Sequence, residues 1–590
     1  MRCKLKSFLA VLMCCVLAIS LFGCSQSKNT SNESSSTGVT SLNLVEDDMF
    51  TKRDLNWEYD ENSAAKITLE DNNITSKDTS NVTVNDNTVT ISEDGVYIIS
   101  GSLNDGQIIV DAQDDDKIQL VLNGVNINSS SSAAIYIKQA DKVFITLADS
   151  TENTLTNSGE FVAVDDNNID SVIFSKDDLT VNGSGLLTVS TEYGHGIVSK
   201  DDMVIAADIT VTASRHALSA NNSVRIACGN INLTAGKDGI NVDSEDDDTT
   251  GFIYVKDGNI TEIVDDDGMH ANNVLFVSGG TVNIKQCYEG LESKEILIND
   301  GNISIVALDD ALNASSGKNS TSDSNSQQNV TDSESGGNPP EIPNSQQNNE
   351  DNTPPQMPNE NQNNNKQSPP EKPNDSENSN NDANGNNTNN ESNAQLPSNG
   401  NQNKPSGNVP NEQQPGGGQG TDMDYDESCS ITVNGGVINI NADGDGIDSN
   451  GDLYVNGGEI YVSGPSNDGN GALDYSGTAT ITGGTVIAVG GSGMAQNFGN
   501  DSTQCSLLIN LSEWTQDDVV VKNSSGEIIL TYAANKKYDS VVISSSVLKQ
   551  NETYTVNGKE ITISSVISSN STQNSISDAV NNSDSAVKSS

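Results

Sequence analysis

The feature that most constrains this chain is a short unit that keeps returning: an acidic or polar residue, Gly or Ala, an aliphatic residue, a variable residue, then usually a small one. It reads His195-Gly196-Ile197, His216-Ala217-Leu218, Asp238-Gly239-Ile240, Asp267-Gly268-Met269, Glu289-Gly290-Leu291, Asp310-Ala311-Leu312, Asp445-Gly446-Ile447 and Gly471-Ala472-Leu473. Most neighbours lie about 21 to 29 residues apart, the period of a solenoid repeat. Between units run pairs of short alternating strands joined at glycine, as in residues 453–462 around Gly457-Gly458 and 274–284 around Gly279-Gly280. Three short strands per coil predict an all-β chain, a parallel β-helix in which each coil covers the aliphatic residue of the next. Right-handedness follows from the general preference of parallel crossovers. An antiparallel sandwich is the alternative, but it would not demand a one-dimensional repeat.

The period divides the chain. Residues 46–160 are strand-rich without clear units and read as irregular N-terminal coils and a cap; residues 161–315 carry regular coils, and 423–495 continue them. Between the two, 316–422 is dominated by Asn, Gln, Ser and Gly, and every proline of the chain except Pro465 falls between Pro339 and Pro415. Such a composition cannot bury a core, so it reads as a disordered insertion within one solenoid. Residues 496–564 read as a small C-terminal β cap and 565–590 as a disordered tail.

At the other end, Arg2, Lys4 and Lys6 precede an apolar run from Phe8 to Phe22, too short for a membrane span. Residues 1–23 therefore read as a signal peptide. The run closes in Leu21-Phe22-Gly23-Cys24, which resembles the bacterial lipobox. The expectation is lipidation of Cys24, a flexible tether over 24–45, and a chain exported and anchored to the outer face of the bacterial cell membrane. No disulfide framework or CxxC metal knuckle is evident.

A formal net charge of −54 opposes nucleic acid and anionic lipid as partners, because like charges repel. Cations become the expected partner. With coils in register, the residue before each Gly or Ala forms one column: His195, His216, Asp238, Asp267, Glu289, Asp310 and Asp445. The residue two after it forms a second: Val198, Ser219, Asn241, His270, Glu292, Asn313, Asp448 and Asp474. Parallel strands about 4.8 Å apart force these carboxylates together, where they repel unless protonated or bridged by metal. Calcium suits such a ladder, since it takes six to eight oxygens in loose geometry. The candidate ligand groups are Asp238, Asn241 and Asp243 with Asp265, Asp266 and Asp267; Glu289 and Glu292 with Asp309 and Asp310; and Asp443, Asp445 and Asp448. A plain solvated acidic face is the competing reading, and the three histidines offer a transition-metal or acid–base alternative.

No nucleophile elbow, HExxH, phosphate loop or dinucleotide fingerprint is present. Were the stripe catalytic, the fitting chemistry is uronate elimination, with calcium neutralising the substrate carboxylate and Lys200, Arg215, Lys237 or Lys294 as base. Both tryptophans, Trp57 and Trp514, fall outside the regular coils, which leaves tyrosines such as Tyr193, Tyr288, Tyr454, Tyr461 and Tyr475 to stack on sugars.

The lipobox, residues 50–60 with Arg53-Asp54-Leu55, the Asp-Gly-Ile coils and a tail containing residues 537–544 and 552–556 together resemble the clostridial family of β-helix lipoproteins described as carbohydrate-binding domain-containing. The resemblance covers nearly all of the chain after the signal peptide apart from the insertion and tail. It implies a right-handed β-helix with calcium sites like those of pectate lyases, binding plant-wall polysaccharides such as polygalacturonate and cellulose. It does not imply lyase activity, and the long insertion is a departure. The leading expectation is a monomeric, surface-anchored, calcium-dependent carbohydrate-binding protein; the rivals are a secreted polysaccharide lyase and a surface adhesin.

Overall fold

A computed structural model describes residues 41–77, 80–162, 167–244, 249–316 and 425–570. The signal peptide, Cys24, the tether before residue 41, the insertion from residue 317 to 422 and the tail beyond residue 570 lie outside the described residues. The described residues fall in one compact unit. They hold forty strands, one 3-10 turn at Glu46–Asp48 and no α-helix.

The chain is all-β, and most pairings are parallel and step from one repeat to the next. Ile197 pairs with Leu218, Leu218 with Ile240, Ile240 with Met269, Met269 with Leu291, Leu291 with Leu312 and Leu312 with Ile447. Every member of that row is buried, and burying each aliphatic side chain contributes about 1.5–3 kcal/mol. The last step bridges the insertion. Glu295 pairs with Ser430 and Asn302 with Val437 in the same sense, so the ladders continue across it without losing register.

Three such ladders run through each repeat. The first carries the recurring unit (Leu218–Ala220, Ile240–Val242, Leu312–Ala314), the second includes Ser223–Cys228 and Phe252–Val255, and the third includes Asn230–Ala235, Asn259–Val264 and Asn302–Ala307. Gly or Ala recurs in the unit because the third ladder roofs it. A Cβ on Gly196 would lie 2.2 Å from Val211 Cγ1, and one on Gly446 would lie 2.3 Å from Val462 Cγ1. The paired glycines at the corner between the second and third ladders answer to backbone shape instead, since Gly436 and Gly458 both have φ of +84°, a conformation that other residues rarely adopt.

The sheet is not wholly parallel. Near the start, Ala65–Leu69 and Val82–Asn85 make antiparallel pairs. At the far end, Thr485–Gly490 meets Tyr538–Ser545 antiparallel, and a separate four-stranded antiparallel sheet follows. Reversing strand direction lets a different segment cover the last rung, which would otherwise present a bare edge.

One element was hidden in the sequence. Residues 41–60 run back over the outer face of the second ladder as a strap. Ser41 N–H donates to Glu295, Arg225 donates to the Met49 carbonyl, and Phe50 packs at 5.8 Å on Tyr254. Asp54, nearly inaccessible, ion-pairs with Lys142 at 2.9 Å and accepts from Thr180 at 2.7 Å. The Arg53 guanidinium covers the Phe144 ring at 4.3 Å.

Candidate cation-binding face

The two expected columns form on the outer side of the first ladder. Val198, Ser219, Asn241, His270, Glu292, Asn313, Asp448 and Asp474 pair in sequence from one repeat to the next. The column before each Gly or Ala is held by a further device. Asp238 Oδ1 accepts the backbone N–H of Asp267 at 3.2 Å, Asp267 Oδ1 that of Glu289 at 3.2 Å, and Asp310 Oδ1 that of Asp445 at 2.5 Å. Asp445 in turn accepts the N–H of Gly471. An acid therefore recurs here because one of its oxygens satisfies the backbone of the next repeat, leaving the second oxygen to face its neighbours.

Structure regroups the candidate residues. Asp238, Asp266 and Asp267 bring carboxylate oxygens within 4.8 Å of one another, as do Asp310, Asp445 and Asp448; Glu292 joins Asp267 and His270. Asp243 instead accepts the Asn272 amide and Asp265 that of Gln286. Asp443 is taken by Lys536, which reaches it from the C-terminal segment. Asn241 keeps its place in the second column beside His270.

His270 holds the middle of the face as a cation. Burial opposes its charge, but hydrogen bonds to Asp267 and Glu292, the latter at 2.6 Å, outweigh it and lift its pKa to about 10. Further upstream, His195 and His216 stack at 5.0 Å. Burial first, then the neighbouring His216 and Arg215, pushes His195 down to about 3, so it is neutral. His216 Nδ1 lies 3.1 Å from Asp238.

Downstream no such compensation exists. Among the described residues, no lysine, arginine or histidine pairs with Asp310, Asp445 or Asp448. Burial is the main cause that raises Asp310 to about 6, Asp445 to about 7, and Asp448 and Glu289 to about 8, with neighbouring carboxylates adding to it. Asp448 and Asn313 are 7% and 8% exposed, and the Oδ1 atom of each is buried without a hydrogen-bond partner. The Asn313 amide is oriented by donating to Glu289 at 2.7 Å, which turns its carbonyl oxygen to the other side. Gly444 completes the cradle, because a Cβ there would meet Asp309 Oδ1 at 2.3 Å and Asp310 Oδ1 at 2.4 Å. These residues fit a hard divalent cation: hard oxygen donors, several charged, two buried acceptors lacking a donor, and room kept by a glycine.

The candidate bases all have partners. Lys237 pairs with Asp266 at 2.8 Å, Lys294 donates to Asn273 at 2.9 Å, Lys200 lies 5.9 Å from the centre of the Phe174 ring, and Arg215 lies 3.4 Å from His195 Nε2 and 4.0 Å from Asp170. The hydrogen bond to Asp266 raises the Lys237 pKa, the wrong direction for a proton acceptor.

Comparison with known proteins gives this face a context. Residues 85–323 match the family model described as carbohydrate-binding domain-containing protein. By that match, the chain is similar to carbohydrate-binding domain-containing proteins. One of them, from Acetivibrio thermocellus, is 41% identical over 152 residues, which is 25% of this chain and 53% of that protein. The chain thus spans about half the length of the curated relative it matches. The solved structure of a polysaccharide lyase-like protein from C. thermocellum, a gadolinium derivative, is 34% identical and covers 41% of this chain and 93% of its own, with a TM-score of 0.35. The matched span takes in the upstream columns through Asp310 and Asn313, whereas Asp445 and Asp448 lie beyond it.

Sequence reasoning missed the cluster of Asp178, Asp201 and Asp202, and it missed a buried acid inside the core. Glu262 is fully buried, its neighbours in register are Leu233 and Ile284, and neither carboxylate oxygen has a hydrogen-bond partner. It lies directly behind Gly239 and Gly268, where a Cβ would come within 3.0 Å of its carboxylate. Burial raises its pKa well above the ordinary value. The signal was available, since alternation places Glu262 on the same side as Ile260 and Val264.

Proposed function

We propose that this chain is a cell-surface carbohydrate-binding protein, anchored through a lipid on Cys24, in which a right-handed parallel β-helix presents a calcium-loaded acidic face to plant-wall polysaccharide. Polygalacturonate is the expected ligand, with cellulose as a second. The observation that carries this reading is the pair of buried, unpartnered oxygens, Asp448 Oδ1 and Asn313 Oδ1, beside Asp310 and Asp445. Asp310, Asp445, Asp448, Asn313 and Glu289 would hold the ion. When bound, calcium supplies positive charge that the acidic face lacks, which an anionic polymer needs in order to approach it. The rest is positioning: Asp310 and Asp445 are fixed by the backbone N–H groups they accept, and Asn313 by Glu289. The family match supports a carbohydrate partner. A lyase is the weaker reading, because each candidate base is already engaged.

Retention of the full chain on polygalacturonate and on cellulose, with calcium or with chelator, tests this while absorbance follows unsaturated product. Calcium-dependent retention without product is the expected result. Growth of product would replace binding with lyase activity, and retention indifferent to chelator would remove calcium from the account.

A further inference from the structure

Beside the cation cluster the surface changes character. Four large apolar side chains are exposed between residues 249 and 316: Ile263 at 44%, Tyr288 at 46%, Val306 at 42% and Leu308 at 61%. They fall on three successive repeats along one edge, where the third ladder turns into the first: Ile263 on one, Tyr288 on the next, and Val306 and Leu308 together on the third. Tyr288 immediately precedes Glu289, and Leu308 immediately precedes Asp309 and Asp310. Backbone bonds lock the corners together: Leu308 N–H donates to the Cys287 carbonyl at 3.0 Å and Asp309 N–H to the Tyr288 carbonyl at 2.9 Å. The Tyr288 side chain is 46% exposed, so its ring stays open to solvent beside the acidic column.

A chain with only 4% aromatic residues gains nothing in stability from leaving a tyrosine and three aliphatic side chains bare, and exposed apolar patches mark binding surfaces. The chemistry of a pyranose ring fits: its C–H face is apolar and its rim carries hydroxyl or carboxylate groups. The edge presents the same pairing, with an apolar strip next to a column of carboxylates. At about 4.8 Å between strands, adjacent repeats are spaced on the scale of a sugar ring.

We infer that Tyr288 and Leu308 form the platform on which a pyranose unit of the polysaccharide stacks, with the rim of that unit turned toward the cation held by Asp310 and its neighbours. This rests on the function proposed above and adds the residues that select a sugar ring over any other anion. In this reading Tyr288 acts by ring contact and not through its hydroxyl.

The test measures binding of polygalacturonate in calcium to the full chain and to Tyr288→Ala, Tyr288→Phe and Leu308→Ala, with calcium affinity and thermal unfolding recorded for each. Because both side chains are exposed, folding is expected to hold. Tyr288→Ala should weaken polysaccharide binding about tenfold while Tyr288→Phe keeps it and calcium affinity persists in both. Unchanged polysaccharide binding in Tyr288→Ala, with calcium still bound, overturns the platform and leaves the calcium-dependent function standing. Equal loss in Tyr288→Phe also overturns it, in favour of a role for the hydroxyl. A change of oligomeric state in Tyr288→Ala without a change in sugar affinity assigns the edge to self-association. If the unaltered chain binds no polysaccharide in calcium, the underlying function fails and the platform with it.

Discussion

The upstream and downstream halves of one face differ in how they settle the same electrostatic problem. Both place polar side chains at the same two backbone positions, in register, on strands of the same ladder. Upstream, the protonated His270 lies between Asp267 and Glu292, Lys237 pairs with Asp266, and His216 lies beside Asp238. Downstream, Asp310 and Asp445 accept backbone N–H groups, Asp448 Oδ1 and Asn313 Oδ1 have no donor, and among the described residues no side-chain cation pairs with the three acids. A repeat fold fixes where side chains go and leaves their charge free. Protein cations stand among the acids in one half; in the other, among the described residues, none pairs with Asp310, Asp445 or Asp448, which is where the proposed calcium would sit.

The largest expected effect breaks the downstream half. Calcium at a hundredfold excess over its dissociation constant should stabilise the full chain by about 2.7 kcal/mol, read as a rise in thermal unfolding temperature that chelator reverses. Asp448→Asn and Asp445→Asn should abolish that rise. If either variant responds to calcium as the unaltered chain does, the two halves are not different in kind.

Glu262 probes the interior behind the upstream half. Replacing it with leucine, the residue type that precedes it in its row, should stabilise the fold at pH 7 by about 1–3 kcal/mol, the usual cost of a buried group without a hydrogen bond. The sign follows from its raised pKa. The folded state holds a proton that the unfolded chain releases, so this contribution is fully present below the ordinary glutamate pKa of about 4.3 and is lost as pH rises toward the folded value. Denaturant unfolding from pH 4 to pH 8 should show a fall in stability that Glu262→Leu reduces; an identical pH slope in the variant would mean that Glu262 has found a partner.

A smaller change should convert one half into the other. His270→Gln removes the cation between Asp267 and Glu292, at a cost of about 1–2 kcal/mol for a partly buried charge-assisted pair, and should give the upstream half a calcium response of its own. Calorimetric titration checks this by an increase in the number of ions bound. Last comes Lys237→Gln, whose solvent-exposed pair with Asp266 should cost no more than about 0.5 kcal/mol; a larger loss would mark Lys237 as more than a surface charge.

Much of this face was legible because the Asp-Gly-Ile unit carries its own register. Once Ile197 through Ile447 are aligned as a buried row, the residues on either side fall into columns without further information. What the unit could not reveal was grouping. Glu292 faces back to His270 and Asp267 rather than forward to Asp310, and Asp443 is drawn off by Lys536 from a segment beyond the repeats. The strap was equally opaque, because its anchors are distant: Asp54 binds Thr180, 126 residues along the chain, and no local pattern encodes that contact. Glu262 was overlooked for the opposite reason, an acid being assigned to solvent on its identity although its alternation placed it inside.

The central claim, that the downstream cluster is completed by a divalent cation, is tested most directly by titrating calcium into the full chain at pH 6 and at pH 8, in buffers of different ionisation enthalpy. Asp445, Asp448 and Glu289 hold protons up to about 7 or 8, and calcium must displace them. The account predicts tighter binding at pH 8 and proton release on binding at pH 6, both lost in Asp448→Asn. Binding that is absent at pH 8, or equally strong at both pH values with no proton released, would contradict it.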